Sequence, residues 1–335
     1  MTFFCSTNKV FSQIRKPVII DSDMGTDDWP AILYLLNKKD VKVVGIVIDG
    51  NGETHCDATN DNHASIGAKN ALRLVKLAGK ESENIPVACG FPYSLKGNHA
   101  FPAAWRHDAD SMSGLDLPFT SVVPSKENGA QLISSLLKKS DTKIDIVALG
   151  PLTNIAYALE AEPTLKHHIQ SIIIMGGAVN VPGNLDDPGA PKTENTTAEW
   201  NIFIDPHSAQ IVFKSSVPIQ LIPLDGTNDV PVTMDFANKL KTKITTPSAQ
   251  FVYNHLIKET NFILSGKFYF WDPLTATIMT NPDICEFKEY KLSVNDSEGT
   301  ESGRTFINQE HGSPVDVCIK ANKEKFEQVL LEGLN

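Results

Sequence analysis

Between residues 17 and 175 the chain keeps returning to one unit: a short apolar run, a loop, then a stretch with helical spacing. The strand-like runs are Pro17-Val18-Ile19-Ile20, Val41 to Ile48, Ile85 to Cys89, Ile144 to Leu149 and Ser171 to Met175. After Pro30, Ile32, Leu33, Leu35 and Leu36 give one apolar helix face, and Ile66, Leu72, Leu74, Val75 and Leu77 give another across 60–78. Runs apolar throughout belong to strands buried on both faces, and β–α alternation of this kind builds a mostly parallel sheet between two helix layers. The expected fold is a Rossmann-like α/β domain, with a mostly parallel (mixed) sheet flanked by helices. Segment 231–268 reads as mostly helical, strand-like pieces stand near 290–295 and 316–320, and a short helix ends the chain. No repeat or linker divides it, so residues 16–335 form a single large domain behind a loose N-terminal arm, 1–15. Segment 90–125, rich in Gly, Pro and aromatics, reads as a long functional loop, with Ser125 capping the helix after it.

Composition narrows the partners. At 335 residues, 41% hydrophobic and 21% charged, the chain is an ordinary globular protein. A net charge of −10 argues against a nucleic-acid backbone, which needs clustered positive charge, and suits a cation site instead. No apolar run approaches the roughly 18 residues of a membrane span. Cys5, Cys56, Cys89, Cys285 and Cys318 are odd in number, far apart and without a CxxC. That pattern disfavours a disulfide framework or zinc knuckle and leads us to expect reduced thiols in a cytoplasmic protein. The first fifteen residues lack the long apolar core and cleavage site of a signal peptide.

In sheets of this type, ligands bind beyond the carboxyl ends of the strands. Directly after the first strand stands Asp21-Ser22-Asp23-Met24-Gly25-Thr26-Asp27-Asp28. Carboxylates at this density repel one another unless protonated, solvated or bridged by a metal. Hard oxygen ligands without nearby His or Cys suit Ca²⁺ or Mg²⁺ rather than zinc. The plain alternative is a solvated acidic turn in which Asp27 or Asp28 caps the next helix. A phosphatase loop also places D-x-D after a strand, but wants Thr or Val two residues after its second Asp. Gly25 occupies that place and Thr26 comes one residue late.

The loop resembles the D-x-D-x-G-x-D-D motif of the nucleoside hydrolase family, and four further segments follow in the family's order. They are Gly150-Pro151-Leu152-Thr153-Asn154, Met175-Gly176-Gly177 with Gly183-Asn184, Ala198-Glu199-Trp200-Asn201 with Asp205-Pro206, and Trp271-Asp272. The resemblance implies Ca²⁺ held by Asp23, Asp28, Asp272 and the main-chain carbonyl of Leu149, where family members often carry Thr. It makes Asp23 the base that takes the proton of the attacking water, and assigns ribose contacts to Asp27, Asn51, Asn184, Glu199 and Asn201. Amides and carboxylates suit that work because each hydroxyl needs both a donor and an acceptor. Without the family context, Asn51 in Asp49-Gly50-Asn51-Gly52 reads as turn chemistry, and Glu199 and Asn201 as neighbours on one face of an extended edge.

Some members of the family protonate the leaving base with a histidine. His99 and His107 lie in the long loop but match no such pattern, and His63 and His207 read as surface residues. Trp105 and Trp271 match the positions that stack on the base in the purine-specific subgroup preferring inosine, adenosine and guanosine. The implied activity is calcium-dependent hydrolysis of purine ribonucleosides to ribose and free base, in a homodimer or other homo-oligomer, with no nucleic-acid or membrane partner. A non-catalytic nucleoside-binding relative would be expected to lose Asp23 or Asp28, and both are present.

Overall fold

A computed structural model describes residues 15–59 and 65–335. Most of the expected N-terminal arm, the first part of the helix expected over 60–78, and His63 lie outside them. The strands are β1 (Lys16–Ser22), β2 (Val41–Ile48), β3 (Val87–Cys89), β4 (Ile144–Ala148), β5 (Ile169–Met175), β6 (Ile219–Ile222), β7 (Cys285–Val294), β8 (Thr305–Ile307) and β9 (Ser313–Ala321). They form one sheet in the order β3-β2-β1-β4-β5-β6-β9-β7-β8. Neighbours from β3 through to β9 run parallel, while β7 is antiparallel to both β9 and β8. The mixed, mostly parallel α/β sheet is the expected one. The short strands β6 and β8 were not visible as apolar runs.

Successive side chains on the central strands enter different cores, as strand geometry requires. Val18, Ile20, Ile46, Ile48, Val147 and Ile173 join one apolar cluster, with the helices Asp28–Asn37 and Trp271–Thr280. Ile19, Val47, Ile146, Ile172 and Ile174 join the other, with the helices Gly129–Lys139 and Thr153–Ala161. Both faces of the sheet are therefore covered, which is why these strands read as continuous apolar runs.

Three local expectations are corrected. Segment 90–125 is not loop throughout: it contains the helix Ala103–Asp110. Ser125 does not cap the next helix, because its backbone N–H is held by the Val87 carbonyl at 2.7 Å. Asn128 caps it, in a reciprocal box in which Asn128 Oδ1 accepts from Gln131 N at 2.9 Å and Gln131 Oε1 accepts from Asn128 N at 3.0 Å.

The third correction concerns the thiols. Cys56 is bonded to Cys89 and Cys285 to Cys318. Each pair is separated by 33 residues. The pairing is invisible in the sequence because tertiary structure creates it: Cys89 ends β3 beside the loop leaving β2, and Cys285 and Cys318 lie on the paired strands β7 and β9. Disulfides persist in oxidising surroundings, so the cytoplasmic expectation loses the basis it had in reduced thiols. Segment 231–268 is mostly helical as expected, with helices Met234–Lys241, Pro247–Lys258 and Thr260–Ser265. No described helix is long and apolar enough to cross a membrane.

Candidate active site

The strand order reverses between β1 and β4, and the loops after β1, β2, β4 and β5 open at that point onto one cavity of about 440 Å³. This is where such sheets place ligands, and the volume is that of a small-molecule site. The loop after β1 is held from within. Ser22 Oγ accepts from Met24 N at 3.0 Å and donates to Asp28 Oδ1, and Trp29 Nε1 donates to the Met24 carbonyl at 3.1 Å. Met24 sits at φ 60, left-handed and fully buried, turning the chain between the two aspartate pairs. Neighbouring loops close tightly on Asp23: a Cβ at Gly52 or Gly150 would come within 2.2 or 2.7 Å of its Cβ. Only glycine fits there.

Oxygens of Asp27, Asp28 and Asp272 lie within 4.8 Å of one another. Asp23 borders them, since a Cβ built at Gly25 would lie 3.1 Å from Asp23 Oδ1, 3.2 Å from Asp27 Oδ1 and 3.1 Å from Glu53 Oε2. Burial, followed by repulsion from Asp23, pushes the Asp27 carboxyl up to about 7 and drives Asp28 well above its ordinary range. Burial raises Asp23 to about 6 and Asp272 well above the carboxylate range, with repulsion from Asp27 and Asp28 adding to the latter. Asp28 Oδ2 and Asp272 Oδ1 are buried without a hydrogen-bond partner. Negative charge crowded this closely, with orphaned oxygens facing inward, fits a hard divalent cation. Part of the repulsion is offset by the fold: Asp28 and Asp272 stand in the first turns of their helices, where the dipole favours anions.

Behind the cluster, Asn154 Nδ2 donates to Asp21 Oδ1 and Asp49 Oδ1, both at 2.9 Å, tying β1 to the loop after β2. Asp205 similarly collects Leu95 N at 2.8 Å, Thr153 Oγ1 at 2.8 Å and Ser208 N at 3.1 Å. These two motif residues hold the scaffold and do not line the cavity.

Asn184, Glu199, Asn201 and Leu149 all reach the cavity. Glu199 and Asn201 are not on an extended edge. Glu199 caps the helix Trp200–Ile204, and its carboxylate accepts from Asn201 N at 2.8 Å, Ile202 N at 3.2 Å and Gly177 N at 2.8 Å. Asn201 Nδ2 donates to the Leu149 carbonyl at 3.1 Å, so the carbonyl expected to face a cation is oriented by a residue expected to face the sugar. Asn51 is the exception. Its Nδ2 donates to Thr153 Oγ1 at 3.0 Å and Ser94 Oγ at 3.2 Å, and it does not line the cavity. The Asp49-Gly50-Asn51-Gly52 turn directs it into the scaffold.

Trp105 and Trp271 line the same cavity from separate aromatic clusters. Trp105 meets Trp200 edge to face at 5.1 Å, and Trp200 stacks on Phe101 at 5.5 Å. Trp271 packs beside Phe268 at 5.8 Å and Phe262 at 6.5 Å. Among the described residues no histidine lines the cavity. His107 is exposed. His99 is not an exposed loop residue: it stacks on Phe203 at 3.9 Å and bonds its carbonyl through Nδ1 at 2.6 Å. His207 is half-buried against Asp296.

Several lining residues had no sequence signal. Glu53, Asp187 and Glu259 come from loops and helix ends far apart in the chain, and Trp200 stands in the sequence only as a spacer between Glu199 and Asn201. The helix cap at Glu199 would have placed the last of these.

Fold and cavity together define a class: a Rossmann-like α/β protein whose ligand cavity is floored by carboxylates and walled by aromatic rings. Within that class the chain belongs to the inosine-uridine preferring nucleoside hydrolase family, whose sequence model matches residues 18–328. It is 28% identical over 299 residues to probable uridine nucleosidase 1 of Oryza sativa subsp. japonica, covering 88% of this chain and 86% of that protein. It is 28% identical over 333 residues to the pyrimidine-specific ribonucleoside hydrolase RihA of Shewanella sp. (strain MR-7), covering 96% of each. The solved plant nucleoside hydrolase PpNRh1 superposes with a TM-score of 0.82 at 27% identity, over 95% of this chain and 98% of that one. The family is the expected one. The purine-specific subgroup finds no support in these names, two of which specify uridine or pyrimidine substrates.

Proposed function

We propose that this nucleoside hydrolase cleaves the N-glycosidic bond of purine ribonucleosides in preference to pyrimidine ones, with Ca²⁺ in the acidic cluster. The observation carrying the purine preference is the pair of indoles, Trp105 and Trp271, which face one cavity from independent aromatic clusters. Stacking is worth about 1–3 kcal/mol per base, and a bicyclic base offers more face to it. Electron-rich faces also favour a base that becomes protonated as it leaves.

Asp23, Asp28, Asp272 and the Leu149 carbonyl would hold the cation, with Asp27 close enough to share in it. When bound, it would supply positive charge that keeps these buried carboxylates ionised. Asp23 takes the proton of the water that attacks C1′. Asn184, Glu199 and Asn201 hold the ribose hydroxyls; Glu199 suits this because three backbone N–H groups keep it fixed, leaving it able to stabilise cationic character growing on the sugar.

The names of the relatives favour a second reading, in which uridine is the better substrate. Initial rates on inosine, guanosine, adenosine, uridine and cytidine, with calcium and after exhaustive chelation, separate the two. Higher kcat/KM for the purines, lost on chelation and restored by Ca²⁺, is the expected result. Uridine turned over as well as inosine refutes the purine preference, and full activity after metal removal refutes the cation.

A further inference from the structure

We propose that Asp187 donates the proton taken up by the leaving base when the glycosidic bond breaks. This rests on the reading of the chain as a ribonucleoside hydrolase and supplies a residue that reading lacks. Departure of a base as an anion is slow, and a positioned acid accelerates it by about 10²–10⁴-fold. Histidine is the usual donor at neutral pH, yet among the described residues no histidine lines this cavity.

Of the other acids lining the cavity, Glu53 crowds the carboxylate cluster, Asp108 is exposed and Glu259 is half-buried. Asp23, Asp27, Asp28 and Asp272 form the proposed cation cluster, and Glu199, raised to about 7 by burial, is pinned at the helix start by three backbone N–H groups. Asp187 differs in position and in partners. It closes a turn with Asn184, its backbone N–H reaching the Asn184 carbonyl at 3.1 Å and Asn184 Nδ2 donating to its Oδ2 at 3.1 Å. Two residues on, Gly189 at φ +91 is pressed so closely on Trp105 that a Cβ would lie 2.9 Å from the indole Nε1. Asp187 therefore stands between a residue placed at the ribose and an indole placed on the base, on the wall of the same cavity.

The charge environment is consistent with a proton held near neutrality. Burial pushes the Asp187 carboxyl up to about 7; Asp186 adds to this, while Lys267 and the Asn184 amide oppose it. The acid form is present below that value and is lost as pH rises through it.

The step balances. The C1′–N9 bond pair stays with the purine, which accepts the Asp187 proton on a ring nitrogen. Water attacks C1′ and gives its proton to Asp23. Solvent then reprotonates Asp187 and takes the proton from Asp23, so the net change is nucleoside and water to ribose and base.

The test compares inosine with 4-nitrophenyl β-D-ribofuranoside, whose phenolate leaves without a proton. Wild type, Asp187→Asn, Asp187→Glu and Glu259→Gln are assayed for kcat and KM from about pH 5 to 9. Glu259 is included because it also lines the cavity, half-buried and raised by that burial. Asp187→Asn is expected to lower kcat on inosine by about 10²-fold or more, with KM moved only a few-fold. Cleavage of the nitrophenyl riboside by that variant stays within roughly threefold, which also shows that the site is intact. Wild-type kcat on inosine declines as pH rises through about 7, a limb missing from Asp187→Asn, and Asp187→Glu restores part of the rate. Equal loss on both substrates, an effect on KM alone, or a persisting alkaline limb overturns the role. Selective loss in Glu259→Gln in place of Asp187→Asn transfers the role to Glu259 and overturns this assignment. A wild type that cleaves neither riboside overturns the hydrolase reading, and this role with it.

Discussion

Two disulfides that close loops of equal length, one beside the active site and one away from it, form a matched pair for experiment. Paired substitution Cys56→Ala with Cys89→Ala opens the first; Cys285→Ala with Cys318→Ala opens the second. Each closes a loop of 33 residues, and the chain-entropy relation gives about 3.5–4 kcal/mol for a loop of that size. With unfolding entropy near 2.1 cal/mol/K per residue over the whole chain, each loss corresponds to a fall in Tm of about 5 °C. Calorimetry should therefore show two similar shifts. Activity should separate them. A Cβ at Gly50 would lie 2.3 Å from the Cys56 carbonyl, so the first cross-link backs the turn that brings Gly52 against Asp23 and Glu53 into the cavity. Loosening that turn displaces Asp23, the carboxylate proposed as the base, and misplacement by about 1 Å costs up to roughly 10²-fold. We expect kcat/KM to fall on the order of tenfold or more for the first pair and to stay within about twofold for the second. Neither Cys285 nor Cys318 lines the cavity. Equal activity losses, or Tm shifts below about 1 °C for either pair, would show that the cross-links do not act as described.

Other outcomes follow from the same geometry. Asp23→Asn should lower kcat by about 10²-fold or more while nucleoside affinity changes only a few-fold; parallel losses in both would remove it from the role of base. Trp105→Ala and Trp271→Ala should each cut kcat/KM on inosine by about 5- to 150-fold, matching 1–3 kcal/mol of stacking, and narrow the purine-to-pyrimidine ratio, whereas an unchanged ratio contradicts the stacking roles. For the metal-free protein, folding raises Asp21 to about 8, Asp23 to about 6 and both Asp27 and Glu199 to about 7, mainly through burial. The folded state then binds more protons than the unfolded one, so stability is full below about pH 4 and is lost as pH rises through about 6 to 8. Calorimetry should show that decline in chelator and its disappearance in Ca²⁺; a Tm indifferent to both is evidence against a cation in the cluster.

Much of the architecture was legible because the relevant physics is local. Val41 to Ile48 had to be a two-sided buried strand, since an apolar run of that length with β-branched residues has no other stable use, and it is β2 to the residue. The acidic loop after β1 was legible as a candidate cation site because carboxylates packed along eight residues repel wherever the chain goes. Gln131, three residues on, marks Asn128 as a cap in the sequence itself; the Val87 carbonyl that holds the Ser125 N–H is distant in sequence and leaves no such mark.

What tertiary structure decided was which of these local pieces meet. Asp272 comes to Asp27 and Asp28 only because the helices Trp271–Thr280 and Asp28–Asn37 pack together on one face of the sheet. Asn51 turned inward to Thr153 and Ser94, and Cys56 found Cys89, through contacts whose sequence separations carry no periodic signal. Asp187 acquired its shifted carboxyl from burial against a wall built by other segments. Hydrophobic period and charge density act between neighbours in the chain and can be read along it. Burial and long-range pairing act between neighbours in space, and those neighbours exist only after the sheet has been ordered and its loops closed over the cavity.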